Sequence, residues 1–256
     1  MSAAPASYWE TVPLGRGVEI VQRDPNGLIA LAKPAGILSH PNAGGDEPRS
    51  LLTVRYQTEG EYFAWLASGV EHRFYLLNRL DSATSGLLLG ASNEVLAREI
   101  RGLFQRKHVR KIYNALVFGV PTTAHQVWKD RLAVEKKAGQ IRTQATAGNI
   151  PAESVMRVLR ARPGPAQPLA LIALEPRTGR SHQLRVQCAK RHLPIVGDAT
   201  YGDFPANRAF AKTTGEKRLF LHSLETRFEY TLAGRTINFS ARAELPEEFR
   251  SIWAKA

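Results

Sequence analysis

The stretch RLDSATSGLLL, Arg79 to Leu89, decides how this chain is read. Its second half continues to Ala91 as GLLLGA, an apolar run of the length of one buried strand. Its first half is polar and turn-forming, so Asp81 stands in a loop beside an apolar strand, where its charge needs a partner. Two readings stay open on spacing alone. Asp81 starts an Asx or ST turn supported by Ser82, Thr84 and Ser85, or it is a carboxylate kept for chemistry.

Working outward, residues 93 to about 107 have the pattern of an amphipathic helix. Ser92 is the expected cap, Glu94 suits the positive end, and Val95, Leu96, Ile100, Leu103 and Phe104 make the apolar stripe. Upstream, LIALAK (28–33) is a second buried strand, stopped by Pro34 and Gly36. Residues 38–50, centred on Gly44-Gly45, are expected to be a loop, and residues 1–17 an N-terminal arm. Downstream, IYNALVF, 154–160, 169–174, 218–229 and 236–242 read as strands, while 121–151 is polar and weakly patterned. A short helix is expected over 181–190 and a final helical turn or two over 245–256. Strands outnumber helices without alternating regularly, which predicts an α+β domain over 18–256: a mixed, largely antiparallel sheet with flanking helices.

The 256 residues hold 35 lysines and arginines against 23 acidic side chains, a formal charge of +12. Such an excess suggests a polyanionic partner. A single cysteine, Cys188, excludes an internal disulfide and a multi-cysteine zinc site. No apolar run approaches the ~20 residues of a membrane span, and the first residues lack a signal-peptide pattern, so a cytoplasmic protein is expected. P-loop, dinucleotide-fold, HExxH and GxSxG signatures are missing, as is metal-ligand spacing among the seven histidines.

Four further segments carry candidate chemistry. In EPRTGRSHQLRV (175–186), Arg180 and Arg185 bracket Ser181, His182 and Gln183 at a helix start, a natural anion site or simply a capped, solvated helix end. In RKIYNALVFG (110–119), alternation puts Tyr113, Ala115 and Val117 on one strand face. PIVGDATYGD (194–203) offers Asp198 as a turn former or a ligand, and RLFLHSLETRF (218–228) sets Leu221 and His222 in a strand.

With LAKPAGI (31–37) and RLDSATSGLLL, these segments resemble, in order and over roughly residues 18–240, the RluA-type RNA pseudouridine synthases with a single catalytic domain and no S4-like domain. The resemblance implies the family fold with a central RNA-binding cleft. It also implies isomerisation of specific uridines to pseudouridine in structured RNA, rRNA or tRNA, without metal or organic cofactor. Asp81 matches the catalytic aspartate, Tyr113 the tyrosine that contacts the target base, and Arg185 the basic residue paired with the aspartate. Leu221 matches a residue lining the base pocket, and Arg79 the arginine that enters the RNA as the base leaves its stack. Arg180, His182, Gln183, Lys111, Arg110 and Lys33 are the expected RNA contacts. Asn78, Ala32 and Gln187 stand where the family commonly has His, Asn and His.

The residue types suit the chemistry. Breaking the N1–C1′ bond and rejoining the base through C5 is redox-neutral and calls for an ionised carboxylate, which an arginine favours. The target base is flipped out at a cost of a few kcal/mol, offset by pocket and phosphate contacts. The alternatives are a non-catalytic RNA-binding or RNA-folding factor on the same scaffold, and a basic DNA-binding protein, for which no helix-turn-helix or zinc-finger pattern exists. The expected partner is structured RNA, with no membrane and no nucleotide cofactor, and the expected state is a monomer.

Overall fold

Runs of β-branched and large apolar residues bounded by Gly and Pro become strands throughout the chain. The computed structural model describes residues 6–137, 140–144, 148–164 and 167–254. In chain order come α1 (Ala6–Glu10), β1 (Glu19–Arg23), β2 (Leu28–Lys33), β3 (Tyr56–Gln57), β4 (Tyr62–Ala67), β5 (Val70–Leu76), β6 (Ser85–Ala91) and α2 (Glu94–Gln105). Then follow β7 (Arg110–Phe118), β8 (His125–Lys137), β9 (Gln140–Gln144), β10 (Ile150–Arg162), β11 (Leu169–Pro176), α3 (Gln183–Lys190) and α4 (Phe204–Thr214). The last elements are β12 (Leu221–Leu232), β13 (Arg235–Arg242) and α5 (Glu247–Ala254). Strand content and antiparallel pairing make this an α+β fold, as the patterning predicts. No described helix is long and apolar enough to cross a membrane.

Two compact units divide the chain. The first takes residues up to Val109 together with Glu225–Glu244; the second takes Arg110–Leu224 and the residues from Leu245 onward.

In the first unit, antiparallel neighbours run β1, β2, β6, β5, β4, β3. Every residue of β6 is buried, as its apolar run predicts. Gly90 is required there, because a Cβ would lie 1.9 Å from the Phe74 ring. Leu87 and Leu89 pack in one core with Leu96, Ile100 and Leu103 of α2 and Phe228 of β12. Each such side chain contributes roughly 1.5–3 kcal/mol by leaving water. Two details of α2 differ from the sequence reading. The cap is Asn93, whose Oδ1 accepts from Leu96 N at 2.9 Å, while Ser92 N donates to Gly27 O. Val95 is exposed, so the buried stripe is Leu96, Ala97, Ile100 and Leu103. The N-terminal segment is docked: Tyr8 and Trp9 are buried, and the Tyr8 hydroxyl donates to Arg73 O at 2.5 Å.

In the second unit the antiparallel order is β7, β11, β10, β8, β9. The weakly patterned segment 121–151 holds β8, β9 and the start of β10. Trp128, Asp130 and Leu132 point inward in β8, while Val127, Lys129 and Arg131 point out. Alternation is present, but a buried carboxylate in the inward set disguises it. Helix α4 was not expected either. Its caps are orthodox, with Asp203 accepting from Ala206 N and Gly215 left-handed at the end, yet Phe210 is its one buried residue. Strand β12 belongs to the second unit through Leu224 and to the first from Glu225.

Candidate active site

Asp81 sits in the first unit, in the loop between β5 and β6, half-buried. The residues on either side of it are pinned. Ser39 Oγ donates to Leu80 O at 2.7 Å and accepts from Leu80 N at 3.0 Å, so one hydroxyl satisfies both backbone groups of Leu80. On the other side, Ser82 O accepts from Gly36 N at 2.8 Å and from Lys33 Nζ at 3.0 Å. Thr84 N donates to Asp81 O at 3.0 Å, closing a backbone turn over residues 81–84. The backbone that presents the Asp81 carboxylate is therefore preorganised. Asn78 Oδ1 accepts from Leu89 N at 2.8 Å, which ties the start of the loop to β6.

Lys33 was expected to meet RNA. Its side chain is instead 1% exposed, and Nζ also donates to Pro34 O at 2.9 Å and Ile37 O at 2.7 Å. A buried ammonium is tolerated only with such partners, so Lys33 fastens the 34–37 turn to the Asp81 loop. Arg79, two residues before Asp81, is exposed.

The second unit holds the other candidate residues. Arg185 in α3 is buried and makes a bidentate pair with Asp198, Nε to Oδ2 at 2.7 Å and Nη2 to Oδ1 at 2.8 Å. Asp198 also accepts from Thr200 N and Tyr201 N, so it forms the turn as well as the ion pair. Burial would raise its pKa, but the Arg185 hydrogen bonds and charge, with those two N–H groups, hold the carboxyl below the usual range. The Arg185 guanidinium lies over the Tyr201 ring, 5.1 Å from its centroid. The Tyr201 hydroxyl meets Thr143 N and His182 Nδ1, each at 2.9 Å. His182, left-handed at φ 54°, ends the loop just before α3.

Gln183 was another expected RNA contact and is corrected in the same way as Lys33. It is 4% exposed; its Oε1 accepts from Thr178 Oγ1, and its Nε2 donates to Ser154 Oγ and Glu153 O. Gln187 continues the network, accepting from Ser154 Oγ and donating to Asp130. The Asp130 carboxylate also holds Lys190 and Arg191. This web locks α3, and with it Arg185, onto β8 and β10. Arg180, by contrast, is exposed at the loop tip. Half-buried Lys111 has its Nζ 3.6 Å from where a Cβ on Gly179 would stand, and desolvation lowers its pKa. Tyr113 is buried in β7 opposite Leu174, and Leu221 is buried at the start of β12. Among the described residues no cluster of His, Cys, Asp or Glu could hold a metal ion.

The family model described as RNA pseudouridylate synthase matches residues 27–190. The chain belongs to this family. It is also 30% identical over 241 residues to a tRNA pseudouridine synthase C of Yersinia pestis, covering 90% of this chain and 88% of the relative. A protein of the same name from Pasteurella multocida is 32% identical over 234 residues, with 88% and 90% covered. Among solved structures, Human RNA Pseudouridylate Synthase Domain Containing 4 superposes with a TM-score of 0.65 at 23% identity, covering 90% of each chain, which shows a shared fold. This synthase is thus an isomerase that converts uridine to pseudouridine in RNA.

Around the residues that the synthase motifs pick out, the structure adds supports that motif reading left without a task. Ser39 and Asn78 hold the Asp81 loop through backbone groups, and Tyr201 gives the Arg185 guanidinium a ring face. Nothing in their residue type announces such a task. Tyr201 and Asp198 lie within the quoted PIVGDATYGD segment, the one signal that pointed to them.

Proposed function

We propose that Asp81 is the catalytic carboxylate and that the RNA is a tRNA. The observation that carries the first part is the double clamp on its loop: Leu80 held by Ser39, and Ser82 held by Lys33 and Gly36. Fixing a half-buried carboxylate in this way supplies the ordered geometry that covalent or electrostatic catalysis at a sugar carbon needs. The second part rests on the names of the relatives, which are tRNA enzymes.

In this reading the N1–C1′ bond breaks, the base turns, C5 bonds to C1′, and the C5 proton leaves while N1 gains one. Atoms balance and no electrons are exchanged. Arg185, oriented by Asp198, is the second charged group of the catalytic set, and Tyr113 contacts the uracil. Leu221 lines the base pocket, and Arg79 enters the RNA as the base leaves. Arg180, His182 and Lys111 serve phosphate and base contacts. The enzyme works as a monomer in the cytoplasm, where its substrate is.

The test is to incubate the protein with unmodified bacterial tRNA and rRNA transcripts and to map carbodiimide-dependent reverse-transcriptase stops. The reading expects new stops in tRNA. Stops confined to rRNA transcripts would overturn the substrate assignment, and none in either would overturn the catalytic one. A folding factor would leave no such stops.

A further inference from the structure

Exposed Arg79 has a carboxylate neighbour. In the first unit its Nη1 lies 4.0 Å from Glu61 Oε1, and the second oxygen of that carboxylate lies 3.5 Å from Arg101 Nε. Arg101 is fixed from α2: its Nε and Nη2 donate to Leu76 O at 3.1 and 2.7 Å, and Nη2 also donates to Glu61 O at 2.8 Å. Glu61 itself has φ +50°, the left-handed region that a residue with a Cβ seldom adopts, and its carbonyl also accepts from Leu76 N. The Tyr56 phenol belongs to the same group. Burial and the Glu61 charge push its pKa up to about 12, with Arg79 and Arg101 acting the other way. Arg101 thus holds the Glu61 backbone firmly, while the carboxylate makes only long pairs, 3.5 Å to Arg101 and 4.0 Å to Arg79. An exposed pair at 4.0 Å is weak. It is strong enough to bias where Arg79 rests and weak enough for a phosphate to displace it.

We propose that Glu61 is a positioning residue that parks Arg79 in the RNA-free enzyme, so that Arg79 exchanges the Glu61 carboxylate for the RNA backbone when the substrate docks. This inference rests on the reading that Arg79 enters the RNA. It adds that binding is opposed by a resident anion that competes with the RNA for Arg79. Such a device lowers affinity for RNA that offers only loose contacts, and so favours a substrate able to take Arg79 over completely.

The experiment is a double-mutant cycle on the dissociation constant of unmodified tRNA transcripts, measured by filter binding at fixed salt for wild type, Glu61→Gln, Arg79→Ala and the double variant. Glu61→Gln keeps the side-chain shape and is expected to tighten binding by up to about fivefold, the ceiling an exposed pair allows. KM falls in step while kcat stays within twofold. In the Arg79→Ala background the tightening disappears. Unchanged or weaker binding of Glu61→Gln overturns the proposal. So does equal tightening in both backgrounds, since Glu61 would then act only as a general negative charge. If Glu61→Gln does not fold, Glu61→Asp withdraws the carboxylate by one methylene and must shift binding in the same direction. If Arg79→Ala alone binds and turns over like the wild type, the assignment of Arg79 to the RNA fails, a result distinct from failure of the Glu61 hold.

Discussion

One hydroxyl, that of Ser39, satisfies both backbone groups of Leu80 next to the proposed catalytic carboxylate. Ser39→Ala should cost about 1–3 kcal/mol in urea unfolding, because a buried N–H and C=O lose their partner together. It should also lower kcat more than it raises KM. Lys33 makes a sharper case. Lys33→Met should destabilise the fold by about 1–3 kcal/mol, the cost of buried carbonyls losing their donor, yet leave the salt dependence of RNA binding unchanged, since Nζ faces carbonyls and not phosphate. A shallower salt slope in that variant would contradict the placement. Asp198 gives a pH prediction. Its folded pKa is depressed, so its contribution is complete above the unfolded carboxylate value of about 3.9 and is lost as pH falls toward the lower folded value. Asp198→Asn should therefore unfold more easily than wild type at pH 7 by about 3–5 kcal/mol, with the gap narrowing below about pH 4. These residues also mark the limit of sequence reading. The types Asp, Tyr and Arg announce chemistry, but whether a Lys or Gln faces solvent or a nest of carbonyls depends on long-range pairing that composition does not record.

The turn ahead of α4 shows how an element depends on one backbone position. Gly197 has φ +75°, and a Cβ there would lie 1.7 Å from Arg218 O. Gly197→Ala combines a left-handed strain with a backbone clash. It is expected to lower the melting temperature by 10 °C or more, on the order of 3 kcal/mol in a unit this size, and to reduce turnover through the displaced Asp198. A melting temperature equal to wild type would contradict the geometry. Elements with uniform apolar runs, β2 and β6, were legible because both faces are buried. β8 was not, because Asp130 occupies an inward position and is neutralised by Lys190 and Arg191, which lie 60 or so residues further along the chain. α4 escaped notice because its one buried residue, Phe210, leaves no stripe to detect.

At the scale of the whole molecule, the +12 charge was readable from composition and belongs to a protein that acts on RNA. If about six phosphates are engaged, affinity for tRNA should fall roughly 10³-fold between 50 and 200 mM salt. Binding that is flat across this range would mean that the basic surplus serves solubility and not the substrate. The fold class was legible from the strand count, and the family from six short motifs in order. The division into two units was not, because no linker marks it and β12 serves both. The most direct measurement is the release of tritium from tRNA transcripts carrying [5-³H]uridine, comparing the wild type with Asp81→Asn. The wild type should release C5 tritium as pseudouridine forms, while Asp81→Asn should bind the same transcripts within about threefold and release none above background. Sustained tritium release by Asp81→Asn would contradict the assignment of that carboxylate to catalysis.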